Sequence, residues 1–265
     1  MIDVLNLEKS FGEQKVLRGV NLSIRDGELM AIIGRSGGGK SVLLKTITGL
    51  LKPDAGSVII DGVDVTRARG KDLDDVREKV GVLFQGGALF DSLTAFENVA
   101  FPLEERTKLG KAEIYKRVVM ALEDVGLNNI EHKYPSEMSG GMRKRVALAR
   151  ALVTGPKVVF FDEPTTGLDP ILLNTTHILI RQTQKKHGFT GIIISHDIPE
   201  IFDIVDRIAF LHKGEIRAVG TPEEMLTTND PLVWGFVSGH VDDPEGILCE
   251  KDSRMCNLRK QRRQL

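Results

Sequence analysis

Eight residues near the start of the chain, Gly34-Arg35-Ser36-Gly37-Gly38-Gly39-Lys40-Ser41, match the pattern G-x-x-x-x-G-K-[ST] at every required position. Such a loop holds phosphate oxygens on successive backbone N–H groups. Gly37, Gly38 and Gly39 remove the Cβ atoms that would keep an anion away. A helix starting near Lys40 would aim its N-terminal partial positive charge at the same point. Lys40 is then expected to reach the β- and γ-phosphates of a bound nucleotide, and the Ser41 hydroxyl to ligate Mg2+. The metal also needs a carboxylate. Val158-Val159-Phe160-Phe161-Asp162-Glu163, an apolar run ending in two acids, supplies one. Asp162 would hold Mg2+ directly or through water, and Glu163 would polarise an attacking water as general base. Alone, such a run is often a plain strand edge. Behind a phosphate loop it reads as a hydrolytic pair.

The surrounding pattern predicts the elements that must position these groups. Alternation of Val4, Leu5 and Leu7, then Val16, Leu17, Val20, Leu22 and Ile24, reads as short half-buried strands joined at Gly12-Glu13. Glu28 to Ile33 is an apolar strand feeding the loop, and residues 40–50 follow with helical spacing. Ser57 to Ile60 with Asp61-Gly62 reads as a hairpin, and residues 80–84 as a strand. From about residue 92 to 154, Leu103, Ile114, Val118, Val119, Leu122 and Val125 recur at helical spacing, which predicts a helical insertion. Strand patterns return at 157–162, 191–195, 207–211 and 215–219, before a helix-rich segment to Gly239. The expected fold is α/β, around a largely parallel sheet.

Met138-Ser139-Gly140-Gly141-Met142 separates this chain from other phosphate-loop proteins. Ser139 can cap a helix from Met142 to Leu152, and Gly140-Gly141 leave amides bare for close approach to a phosphate. The segment resembles the signature motif of ATP-binding-cassette (ABC) proteins. Phe11, Gln85, Thr166-Gly167-Leu168-Asp169 and His196 fall in that family's order, over about residues 1–235. The resemblance implies a P-loop ABC cassette with a RecA-like core, an antiparallel β subdomain and the inserted helical subdomain. Its domain would span 1–238, with 239–265 as a tail. It also implies two chains head-to-tail, each ATP lying between one phosphate loop and the partner's Ser139, Gly140, Gly141 and Met142. Phe11 would stack on adenine. Gln85 would sense Mg2+ and the lytic water, Asp169 would link the two sites, and His196 would contact the γ-phosphate and hold the water against Glu163. Met142 stands where most members have Gln, without removing the Ser139 hydroxyl or the glycine amides. Asp197 and Glu200 are read as a capping box beside His196.

Gly81 to Leu93, continuing through Phe96-Glu97-Asn98-Val99-Ala100-Phe101-Pro102-Leu103, together with Ser195-His196-Asp197-Ile198-Pro199-Glu200, resembles the ATPases of Mla-type lipid-asymmetry transporters. That likeness implies ATP hydrolysis driving phospholipid transport between inner and outer membranes, with an integral-membrane permease and a periplasmic MCE-type lipid-binding protein as partners. The ATPase would sit on the cytoplasmic face of the inner membrane. Ala88, Leu89, Phe90 and Phe96 suit a groove for a short permease helix or belong to the helical core. A small-solute importer ATPase and a soluble ABC ATPase acting without a permease are the alternatives. Ser41 and Ser139 lie 98 positions apart without sustained heptads, which disfavours a coiled-coil relative.

Composition fits these expectations. In 265 residues the formal net charge is -1, so nothing pulls the chain toward nucleic acid. The start shows no basic or apolar leader, and no apolar run approaches a membrane span. Cys249 and Cys256 read as free thiols. The last sixteen residues carry six Lys/Arg and two Asp/Glu, and would touch anionic lipid, aid dimerisation or stay solvated.

Overall fold

The computed structural model describes residues 1–239; Cys249, Cys256 and the basic end lie outside the described residues. The chain opens with a long hairpin, β1 (Ile2–Phe11) and β2 (Gln14–Ile24), longer than the short strands expected. With β4 (Ala55–Ile60) and β5 (Val63–Asp64) it makes an antiparallel sheet of order β2-β1-β4-β5. Register shifts along β1 at Val4/Leu7, Leu7/Glu8 and Lys9/Ser10 let so long a pair bend.

The second sheet contains β3 (Leu29–Ile33), β6 (Val80–Leu83), β7 (Val158–Asp162), β8 (Thr190–Ile194), β9 (Arg207–His212) and β10 (Glu215–Gly220). Its order is β10-β9-β3-β8-β7-β6, parallel except for the antiparallel edge strand β10. Every residue of β3, β7 and β8 is buried, because both faces of the sheet are covered. Met30, Ile32, Phe160, Ile192 and Ile194 pack toward the antiparallel sheet and α1 (Lys40–Ile47). Leu29, Ala31, Ile33, Val159, Phe161 and Ile193 join the helical core on the other face.

Between β6 and β7 run α3 (Ala95–Arg106), α4 (Lys111–Asp124) and α5 (Gly140–Leu152). Thr94 and Glu97 close a capping box at α3. Asn98 is fully buried, yet its amide donates to the Phe90, Leu93 and Thr94 carbonyls and its Oδ1 accepts from Phe90 N–H, fixing the preceding loop. Helix α6 (Pro170–His187) joins β7 to β8, and α7 (Pro222–Leu226) and α8 (Pro231–Val237) end the described chain.

Three expectations need correction. Helix α1 stops at Ile47 rather than residue 50, because Thr48 turns its hydroxyl back to Leu44 O and Gly49 takes φ +69°. Helix α2 (Lys71–Glu78) was not foreseen; only Val76 on it is buried, so it carries almost no apolar period. The capping box at Asp197 and Glu200 does not form. Residues 200–203 make a short 3-10 turn without a side-chain cap, because the Asp197 carboxylate is engaged by Thr165 and Ser195 instead. Among the described residues, no helix is long and apolar enough to cross a membrane.

Candidate functional site

The candidate groups follow the C-terminal ends of four parallel strands, where ligands gather in open α/β sheets. Residues 34–41 leave β3 and run into α1; Gln85 follows β6, Glu163 follows β7 and His196 follows β8. The loop leaves β3 so tightly that a Cβ on Gly34, at φ +154°, would lie 2.3 Å from the Leu211 carbonyl oxygen. Lys40 is 6% exposed, and its ammonium donates to the Gly34 and Arg35 carbonyls at 2.8 and 3.0 Å. Burial pushes its pKa down, while Glu163 and Asp162 hold it up.

Asp162 ends β7 with its carboxylate 3.4 Å from the Ser41 hydroxyl, which donates to it. Burial, then the neighbouring Glu163, raises the Asp162 pKa; Ser41, Lys45 and Lys40 oppose that rise. Two adjacent acids and a hydroxyl, all oxygen donors, fit a hard divalent cation shared with a phosphate. Among the described residues there is no group of three or more His, Cys, Asp and Glu that could hold a metal.

Glu163 is held in the left-handed region, at φ +47°, a strained conformation for a residue with a long side chain. Its N–H donates to Ile194 O at 3.0 Å. Its Oε2 accepts from Gln85 Nε2 and Thr166 Oγ1, both at 3.0 Å, and its Oε1 lies 3.7 Å from His196 Nδ1. Gln85, Glu163 and His196 thus converge from three strands onto one point.

The remaining candidates occupy helix and strand ends. The Ser139 hydroxyl caps α5 by accepting from the Met142 N–H at 3.2 Å, and the Met142 side chain packs on the helical core. Gly140 begins α5 with an exposed backbone, while Gly141 is buried near Leu172. Asp169 caps α6 by accepting from the Ile171 and Leu172 amides at 3.0 and 3.1 Å. Phe11 ends β1, half-exposed, with the Lys9 ammonium 5.5 Å from its ring centre. After Gln85, Phe90 and Phe101 stand exposed with rings 5.1 Å apart, whereas Leu89 and Phe96 pack against the core.

Sequence reasoning missed three supports. The Lys144 ammonium, on α5, donates to the Gln85 carbonyl, and Arg150 donates to Gly87 O and Ala88 O at 2.7 and 2.8 Å, so one helix clamps the loop after β6. Thr165 donates to Asp197 beside His196. Lys144 and Arg150 lie six apart, about 120° from each other around the helix, so no face periodicity joins them. Nothing local marked their targets.

A phosphate loop delivered by a buried strand, with an acid pair at the end of a second strand, defines a P-loop nucleotide triphosphatase. The family model described as ABC transporter matches residues 17–166. The intermembrane phospholipid transport system ATP-binding protein MlaF of Haemophilus influenzae is 41% identical over 244 residues, 92% of this chain and 92% of that one. The probable ribonucleotide transport ATP-binding protein mkl of Mycobacterium leprae is 41% identical, over 95% of this chain and 72% of that protein. Among solved structures, the ATP-binding cassette MJ0796, dimeric in a post-hydrolysis state with ADP and Pi, superposes with a TM-score of 0.76. It is 33% identical and covers 84% of this chain and 99% of its own. The chain belongs to the ABC transporter family and is an ATP-hydrolysing cassette of it.

Proposed function

We propose that this chain drives phospholipid transport between membranes, as the homodimeric ATPase of a transporter whose permease spans the bilayer. The 41% identity to an intermembrane phospholipid transport ATPase along 92% of both chains carries that reading. The exposed Phe90–Phe101 pair after Gln85 suits a permease contact, and residues 1–238 act as the cassette, with about 92–154 as its helical subdomain and 239–265 as a tail. The complex sits on the cytoplasmic face of the inner membrane and works with an MCE-type lipid-binding protein.

In the proposed mechanism, residues 34–41 hold the phosphates of ATP, with Lys40 turning from the Gly34 and Arg35 carbonyls to the β- and γ-phosphates. Phe11 stacks on adenine. Ser41, Asp162 and Gln85 would hold Mg2+, which when bound neutralises charge on the transferring phosphoryl group. Glu163 takes the proton of the attacking water, while Gln85 and His196 keep that water and Glu163 in line. The partner's Ser139, Gly140, Gly141 and Met142 close over the γ-phosphate, and Asp169 joins the two sites across the dimer. Closure pulls the permease toward one access state, and product release reopens the pair.

The relative named for ribonucleotide transport, equally similar over 95% of the chain, supports a second reading in which the cargo is a soluble nucleotide. Purification in mild detergent from native membranes decides between them. A permease with an MCE-type protein and bound phospholipid supports the lipid reading. A permease that retains ribonucleotide and no lipid overturns it while leaving the ATPase mechanism intact.

A further inference from the structure

His177 lies on α6, about two turns beyond the Asp169 cap, with 1% of its surface exposed. Both of its ring nitrogens are buried without a hydrogen-bond partner. Buried polar side chains are almost always bonded, so this imidazole calls for a function. Its Nε2 faces Oδ2 of Asp197 at 3.8 Å. That oxygen already accepts from Thr165 Oγ1 and Ser195 Oγ, while Oδ1 of the same carboxylate lies 3.9 Å from His196 Nε2. Asp197 therefore stands between two imidazoles, one deep under α6 and one beside Glu163. Burial favours the neutral ring at His177, against the pull of Asp197, Glu200 and Asp203, so it has one N–H to give and the proton stays on it.

We propose that His177 is a positioning residue for hydrolysis, donating Nε2–H to Asp197 so that this carboxylate holds His196 in line with Glu163. The proposal rests on the reading of Glu163 and His196 as the hydrolytic pair. The 3.8 Å separation is about 0.9 Å longer than an ordinary hydrogen bond of about 2.9 Å, so a small approach of the two side chains would make the bond. Because the contact is with the His196 loop and not with the phosphate loop, it bears on turnover more than on nucleotide binding.

The test is steady-state ATP hydrolysis by the full-length chain carrying His177→Leu, which fills the site without a donor, or His177→Gln, whose amide reaches the Nε2 position. His177→Leu is expected to lower kcat about tenfold, the worth of one hydrogen bond to a charged group. Its KM for ATP should stay within about twofold and its Tm should not fall, since an apolar side chain suits the site. His177→Gln should recover most of the lost kcat. Wild-type kcat in His177→Leu, or an equal loss in both variants, overturns the proposal. Should His177→Leu not fold, His177→Asn, whose amide sits at the Nδ1 position, replaces it; equal kcat in the Asn and Gln variants is then the overturning result. Glu163→Gln runs in parallel, and turnover retained there would sink the reaction-centre reading itself rather than the role of His177.

Discussion

Replacing Gly34 with Ala is the sharpest probe of how the fold builds the phosphate loop. The added Cβ would lie 2.3 Å from the Leu211 carbonyl oxygen and 3.3 Å from its carbon, against a floor near 3.0 Å for real contacts. The obstacle is backbone in β9, tied on one side to β3 and on the other to β10, so it cannot swing aside as a side chain would. Overpacking of this kind costs about 1–3 kcal/mol. A residue with a Cβ at φ +154° adds about 1–3 kcal/mol of backbone strain. The sum, about 2–6 kcal/mol, is a large part of an ordinary domain's stability. Part of the strain can be relieved by moving the loop, and that would displace the carbonyl that accepts from Lys40. Urea unfolding and titration with a fluorescent ATP analogue measure the two halves. Gly34→Ala should lose stability by that amount and weaken nucleotide binding at least about tenfold, since 1.4 kcal/mol is enough for that. Gly12→Ala is the control: φ is +59°, but no atom lies within 4 Å of its Cβ, so only the strain remains. A Gly34→Ala protein within about 1 kcal/mol of wild type, with unchanged affinity, would refute the reasoning.

Glu163→Gln should lower kcat by about 10²–10⁴, the usual worth of a general base, while a titration shows ATP still bound. Lys40→Ala should abolish that binding, because the ammonium at the loop carries the compensating charge. Ser139→Ala should cost about 1 kcal/mol in thermal or urea unfolding through the lost α5 cap, and should slow hydrolysis further only at protein concentrations where dimers form. Asp206 receives both Arg181 nitrogens, at 2.6 and 3.0 Å, and the Leu29 N–H at 2.8 Å; these bonds depress its pKa against an opposing effect of partial burial. Its folded pKa lies below its unfolded value, so its stabilisation is present above the ordinary Asp range and fades as pH falls through the folded pKa. Asp206→Asn should therefore lower Tm at neutral pH, with the gap to wild type narrowing in acid; a gap independent of pH would sink that account.

Much of the site was legible because its chemistry is local. The phosphate loop, its lysine and the acid pair after an apolar strand sit in contiguous segments whose spacing is fixed by one turn of backbone. The strands of the parallel sheet were legible as apolar runs, since burial on both faces leaves little polar residue in β3, β7 and β8. Helix α2 escaped because its single buried residue, Val76, leaves no period to read.

What the sequence determined, then, was the set of candidate phosphate-binding groups, and the strands and most of the helices that carry them. Only the tertiary structure decided what each group touches. Gln85, Glu163 and His196 meet because β6, β7 and β8 are neighbours in the sheet, although 78 residues separate the first two. Asp197 serves Thr165 and Ser195 instead of a helix cap, because the packed loops bring two hydroxyl donors to its carboxylate. His177 lies under that carboxylate because α6 returns across the sheet, and a helical period can bury a residue without saying what it will face. Side-chain pairing across long loops depends on the closed fold, and no local pattern encodes it.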